Sequence, residues 1–209
     1  MPARPSVPTP APAFVRRPAS RCAAGLWALV LSGLLAACGG TPPIRHYTLG
    51  GRDVPASAVS AGPSLVVGPV NVPERIDRPQ MVRLMDGSRL EMTDGHRWAG
   101  PLKGELAARV AATLGRERGW SRVVAAPQTS LANPDLSLPI DVQRFEAQGF
   151  ERVSLEAVWS LRRAGQELAS GRFAASEPVS GGDYAALAEA HGRLADALAR
   201  DLAARLPAN

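Results

Sequence analysis

The chain has 209 residues, with 24 Lys+Arg against 19 Asp+Glu and a formal net charge of +5. Four of those arginines (Arg4, Arg16, Arg17, Arg21) and no acidic residue precede position 38, so the remainder carries 20 basic against 19 acidic side chains, with Lys103 the sole lysine. Arginines scattered singly among acids form no basic stripe with interleaved aromatics, which excludes nucleic acid as the expected partner.

Residues 1–15 are Pro-rich and are set aside from fold reasoning. Arg16, Arg17 and Arg21 then form a positive flank before the apolar run Ala23 to Leu35. That run is about 13 residues, too short for a membrane-spanning helix, which needs roughly 20. It closes on Leu35-Ala36-Ala37-Cys38, the order of a bacterial lipobox. Attachment of diacylglycerol requires the thiol, and the signal peptidase that follows requires small side chains where it grips the chain. The alternative is a core helix ending in a buried cysteine; the order of flank, apolar run, small residues and cysteine favours the lipobox. Residues 1–37 are therefore expected to be a lipoprotein signal peptide, with Cys38 the lipidated N-terminus.

Cys22 leaves with the signal, so no intramolecular disulfide is expected in the mature chain. The 172 residues that follow position 37 are the size of one domain and hold no second long apolar segment. The mature part is expected to be soluble and held at a membrane by acyl chains. Each buried methylene contributes about 0.8 kcal/mol, and two or more chains give stable anchoring. Gly39 rather than Asp follows the cysteine. By resemblance to lipoproteins of enteric-type bacteria, this favours the periplasmic face of the outer membrane over retention at the inner one.

Residues 38–63 read as a tether. Gly39 to Pro43 resists regular structure, His46 to Leu49 is a possible first strand, and Gly50 to Pro63 is a Gly/Pro/Ala/Ser-rich loop. Residues 64–209 read as a single α/β domain. Ser64 to Val70 is a continuous β-branched run, the mark of a strand buried on both faces, with Pro69 placing the end of pairing or an edge there. Met81–Met85 and Ser88–Met92 flank Asp86-Gly87, a strong hairpin signal.

From about Arg97 the period changes. Trp98, Leu102, Leu106, Val110 and Leu114 recur every four residues, which predicts an amphipathic helix capped by Thr93 or Asp94 and ended by Gly119. Ser121 to Ala126, Leu138 to Phe145 and Val153 to Leu161 read as strands, the last alternating cleanly, with Gly165-Gln166 turning it into an antiparallel partner over Glu167 to Ser176. Asp183 to Leu206 is the clearest helix. Leu187, His191, Leu194, Leu198, Leu202 and Leu206 keep to one stripe, and Pro207 ends it. Helices between partly hairpin-linked strands predict helices layered on a mixed sheet.

Read together, these strings resemble the ABC-type transport auxiliary lipoprotein family (the PqiC/YmbA type) over most of residues 44–206. The resemblance is carried by Tyr47-Thr48-Leu49, Val67-Gly68-Pro69-Val70 with Val72-Pro73, Asp77 to Val82, Arg97-Trp98-Ala99-Gly100-Pro101-Leu102, Ile140-Asp141-Val142 with Arg144-Phe145, and Val153 to Trp159. It implies an anticodon-binding-domain-like α/β fold. It also implies a non-catalytic lipoprotein subunit that docks a periplasmic MCE-domain assembly, with its ABC permease and ATPase, at the outer membrane. Ring-shaped MCE partners make a homo-oligomer plausible.

The residues themselves offer little catalytic chemistry. His46, His96 and His191 lack metal-ligand spacing, and no cofactor motif, nucleophile elbow or phosphate-binding loop is present. His191 reads as a satisfied core histidine, Glu91 and Asp94 as a solvated hairpin end, and Trp98 as a core anchor of the first helix. No cofactor is expected. The polar stretch that stands out is Glu74-Arg75-Ile76-Asp77-Arg78. It is either a solvated loop whose charges pair locally, or a partner-binding element in which Glu74, Arg75, Asp77 and Arg78 take part and the two arginines donate to carboxylates of another subunit. A stand-alone envelope lipoprotein that itself binds a lipid or cell-wall ligand is the rival reading of function.

Overall fold

One long strand organises the fold. The computed structural model describes residues 43–50, 62–128 and 130–207; the signal segment, Cys38 and most of the predicted loop after Gly50 lie outside the described residues. In chain order the elements are β1 (Arg45–Tyr47), β2 (Leu65–Asn71), β3 (Gln80–Leu84), β4 (Leu90–Trp98), α1 (Leu102–Arg118), β5 (Val123–Ala125), β6 (Leu136–Gln148), β7 (Arg152–Arg163), β8 (Gln166–Pro178) and α2 (Tyr184–Arg205). The compact unit begins at Pro43, so the possible strand assigned to the tether is part of the sheet.

β6 is the spine. On one side it pairs antiparallel with β7, which pairs antiparallel with β8. On the other side the sheet forks: the first half of β6 pairs parallel with β2, which carries β5, and its last residues pair parallel with β3. β3 then forms the expected hairpin with β4, and β4 takes β1 as a parallel partner. Both helices pack on one face of this eight-stranded mixed sheet and on each other. The layered α/β architecture read from the sequence is therefore observed.

The core lies between helices and sheet. Val153, Leu155, Ala157, Trp159 and Leu161 of β7 are all buried, as their alternation requires, against Leu187, Leu194, Leu198 and Leu202 of α2 and Leu106, Val110 and Leu114 of α1. The opposite face of the sheet is polar. It carries ion pairs from Arg144 to Glu146 and Glu156 and from Arg172 to Glu156, linking three adjacent strands. β2 departs from expectation for this reason: Leu65, Val67 and Val70 are buried, but Val66 is only half-buried and Pro69 is exposed, because helices cover a single face.

Pro69 does not end the pairing of β2. The register with β6 runs Val67↔Leu138 and resumes at Val70↔Ile140, so Gly68-Pro69 bulges opposite Pro139. Two residues without a backbone N–H face each other where the ladder is interrupted, and the bulge sacrifices few hydrogen bonds there.

The first helix also begins later than its periodicity suggests. Trp98 is the last residue of β4. Its N–H donates to Pro79 O at 2.7 Å, and the next, Ala99 N–H, donates to Tyr47 O at 2.7 Å. The helix starts at Leu102 with Pro101 as N-cap and no side-chain cap, so Thr93 and Asp94 do not cap it. Proline disfavours a helical conformation in the residue before it and suits a helix start. The C-terminus is as read: Gly119 adopts φ 65°, a left-handed cap, and donates to Arg116 O. α2 is capped by Asp183, whose carboxylate accepts from Ala186 N–H at 2.8 Å.

Candidate docking cleft

The chain leaves β2 at Asn71 and makes a tight turn between Pro73 and Pro79. Ile76 and Asp77 N–H both donate to Pro73 O, at 3.0 and 3.1 Å, and Arg78 N–H donates to Ile76 O at 2.9 Å. Ile76 fixes the turn. It is buried beside Met81, Trp98, Leu102, Phe145 and His191.

The charges flanking Ile76 separate into distinct roles. Glu74 is exposed. Arg75 donates through Nε to Oε1 of Glu146, a β6 carboxylate only 8% exposed, and its Nη2 forms an ion pair with the same oxygen, so its guanidinium is engaged within the domain. Asp77 accepts from Lys103 Nζ at 2.9 Å. Arg78 has no carboxylate partner among the described residues. Its Nη1 meets the thioether of Met92 at 2.9 Å, a weak acceptor, and its buried Nε meets no acceptor.

Arg78 lines an open cleft of about 410 Å³ whose other walls are Asp77, Pro79, Trp98, Ala99, Gly100, Pro101 and Lys103. The two strings Asp77–Pro79 and Trp98–Lys103 are thus opposite sides of one feature, joined by the Trp98-to-Pro79 hydrogen bond. The walls are mostly apolar. The charges that line the cleft are two cations and one carboxylate, and Glu105 in the first turn of α1 offsets the partial positive charge of that helix N-terminus. Lys103 and the Trp98–Pro101 wall were absent from the sequence-predicted site, as was Glu146. The string from Arg97 to Leu102 was visible in the sequence, but not its juxtaposition with Asp77–Pro79.

Two of the histidines, His96 and His191, are held by ring and hydrogen-bond contacts, while His46 is exposed. His191 is buried, with Nδ1 2.8 Å from Leu187 O and its ring edge-on to Trp98 and Phe145. Burial pushes its imidazole down to about 4, against a smaller opposing effect of the Leu187 carbonyl. The space beside it is about 10 Å³, roughly one water and far short of an acyl chain. β1–β4 pairing brings His46 and His96 to neighbouring strands, but no group of His, Cys, Asp and Glu among the described residues could hold a metal. His96 stacks on Tyr184 at 3.8 Å and bonds Tyr47 through Nδ1. Burial, then the cations of Arg45 and Arg83, hold it below its ordinary pKa. Glu91 and Asp94 go separate ways, Glu91 to Arg83 at 2.6 Å and Asp94 to Gln80 and Arg97.

Among solved structures, the chain is similar to an uncharacterized protein (17% identity, TM-score 0.64, covering 79% of this chain and 99% of that one). It is also similar to a protein from Xanthomonas campestris (24% identity, TM-score 0.58, covering 76% of this chain and 92% of that one). These likenesses show the fold. No curated protein matches the sequence. Residues 47–203, from the last residue of β1 to the last turns of α2, match the family described as the ABC-type transport auxiliary lipoprotein component. The chain belongs to that family.

Proposed function

We propose that this protein is a non-catalytic subunit of an ABC-type intermembrane lipid transport system. It is anchored by acyl chains on Cys38 at the periplasmic face of the outer membrane, and it docks the MCE-domain assembly there. The observation that carries the reading is the family match across residues 47–203. The cleft suits a binding role, because it gathers a cation, a salt bridge and apolar walls.

The test is affinity purification of the full-length, lipidated protein from mild-detergent membranes, with cross-linking and mass spectrometry of proteins and lipids. MCE and ABC subunits at near-stoichiometric levels are the expected result, with Cys38→Ser moving the protein out of the membrane fraction. Recovery of the protein alone, loaded with one lipid class, would overturn the docking role in favour of an independent carrier.

A further inference from the structure

We infer that the cleft between Asp77–Pro79 and Trp98–Lys103 takes an acidic, extended segment of a partner protein, and that Arg78 reads its carboxylate. The inference rests on the docking role proposed above and narrows it to one surface and one chemistry.

Charge complementarity identifies the occupant. Sequence reasoning treats Arg75 and Arg78 as equivalent donors, but the structure separates them. Arg75 already donates to Glu146, so a partner that drew its guanidinium away would strand a carboxylate that is 8% exposed. Arg78 is the reverse case. It lines the cleft, its one hydrogen bond among the described residues is to a thioether, and its Nε is buried without an acceptor. Leaving a charged donor buried and unmatched is unfavourable, and a carboxylate is the acceptor that a planar guanidinium fork fits best. Arg83, whose Nε is likewise buried without an acceptor, is not comparable. It pairs with Glu91 at 2.6 Å and lies 3.9 Å over the Phe150 ring.

The rest of the cleft suits a peptide. Pro79, Trp98, Ala99 and Pro101 give apolar walls for side chains that alternate with the acidic ones. Lys103 is half exposed and, among the described residues, held only by Asp77, an exposed pair that a stronger acidic ligand can rearrange. The cleft has more cations than carboxylates, so an acidic occupant neutralises it and a basic one does not.

The experiment uses the full-length protein in detergent micelles and two fluorescein-labelled peptides, Glu-Leu-Asp-Leu-Glu and its amide twin Gln-Leu-Asn-Leu-Gln, read by fluorescence anisotropy. The acidic peptide should bind about tenfold more tightly, the size expected of one charge-assisted bond, and the preference should shrink with salt. Arg78→Gln should abolish the preference and Arg75→Gln should leave it. Ala99→Trp, which fills the cleft without touching a charge, should weaken both peptides. Equal binding of the two peptides overturns the inference, as does an acid preference that survives Arg78→Gln. Should Arg78→Gln fail to fold, undiminished acidic-peptide binding by Ala99→Trp overturns it. Vesicles of phosphatidylglycerol that bind in an Arg78-dependent way while the peptide does not would assign the cleft to lipid instead. Transport subunits that co-purify undiminished with folded Arg78→Gln would remove this surface while leaving the subunit role intact; their absence from the wild-type preparation would remove the role itself.

Discussion

Arg109 on α1 grips Asp196 on α2 through two parallel donors, Nε to Oδ1 at 3.0 Å and Nη2 to Oδ2 at 2.7 Å, while its Nη1 donates to the carbonyls of Leu49 and Gly50. One side chain therefore ties both helices to the segment leaving β1. Thr113 Oγ1 adds a third donor to Asp196 at 2.8 Å. Burial works to raise the Asp196 pKa, but the hydrogen bonds from Arg109 and Thr113 and the charges of Arg109 and Arg200 outweigh it, and the carboxyl sits below its ordinary range. The pair is mostly buried, with side chains 14% and 17% exposed. Arg109→Ala should cost about 2–4 kcal/mol, because it strands the carboxylate. Arg109→Lys should recover only part of this, since an ammonium cannot form the fork. Urea midpoints compared at unchanged m-value measure both.

Gly192 lies inside α2, where glycine normally costs about 1 kcal/mol relative to alanine. Here a Cβ would meet Leu49 O at 2.5 Å and Arg109 Nη1 at 2.9 Å. Leu49 O is backbone, and Arg109 holds it, so it has little room to give. Overpacking of this kind costs about 1–3 kcal/mol, which outweighs the helix-propensity gain. Gly192→Ala should therefore lower the thermal midpoint, whereas Gly104→Ala on α1, whose Cβ meets nothing within 4 Å, should raise it.

His191 makes stability depend on mild acid. Its folded pKa of about 4 lies below the ordinary value of 6.5, so between those values the unfolded chain binds more protons than the native one. The stabilisation is complete above about pH 6.5 and is lost progressively as pH falls toward 4. The contribution of this one group should fall by about 2 kcal/mol between pH 7 and pH 5. Denaturation curves at the two pH values should show the loss in the wild-type protein and a much flatter dependence in His191→Gln.

Arg75 and Arg78 should separate when stability is measured alone. Removing Arg75 leaves Glu146 with only the 3.7 Å contact to Arg144, so Arg75→Ala should destabilise by about 1–2 kcal/mol. Arg78 loses no carboxylate partner on truncation, and Arg78→Ala should stay within about 0.5 kcal/mol of wild type. Equal losses in the two variants would show that Arg78 has a structural partner as firm as Glu146.

Elements whose signal is local were readable in the sequence. The Asp86-Gly87 hairpin, the β7 alternation, the Gly119 stop and the α2 stripe all stand where the residues place them. Trp98 misled for a physical reason. It sits four residues before Leu102 and so continues a helical period, while its backbone is committed to Pro79; Pro101 was the signal that separates strand from helix. The reach of β4 to Trp98 was hidden because it depends on β1 as a parallel partner. At the cleft, the charged loop was legible but its division of labour was not. Glu146 lies 71 positions from Arg75, and no local pattern encodes a contact across that separation.

The forked pairing of β6 bears on the order in which the chain can fold. β6, β7 and β8 are consecutive and antiparallel, so they meet by closing short turns. β2 must instead find β6 across the gap from Leu65 to Leu136, and β3 across the gap from Arg83 to Ala147. Long closures are paid for before their contacts reward them, which slows assembly of sheets of this kind. Because β6 is synthesised after β2, β3, β4 and β5, those strands wait for the strand that joins them into one sheet. The β3–β4 hairpin can form early, but it and β2 become parts of one sheet only once β6 exists.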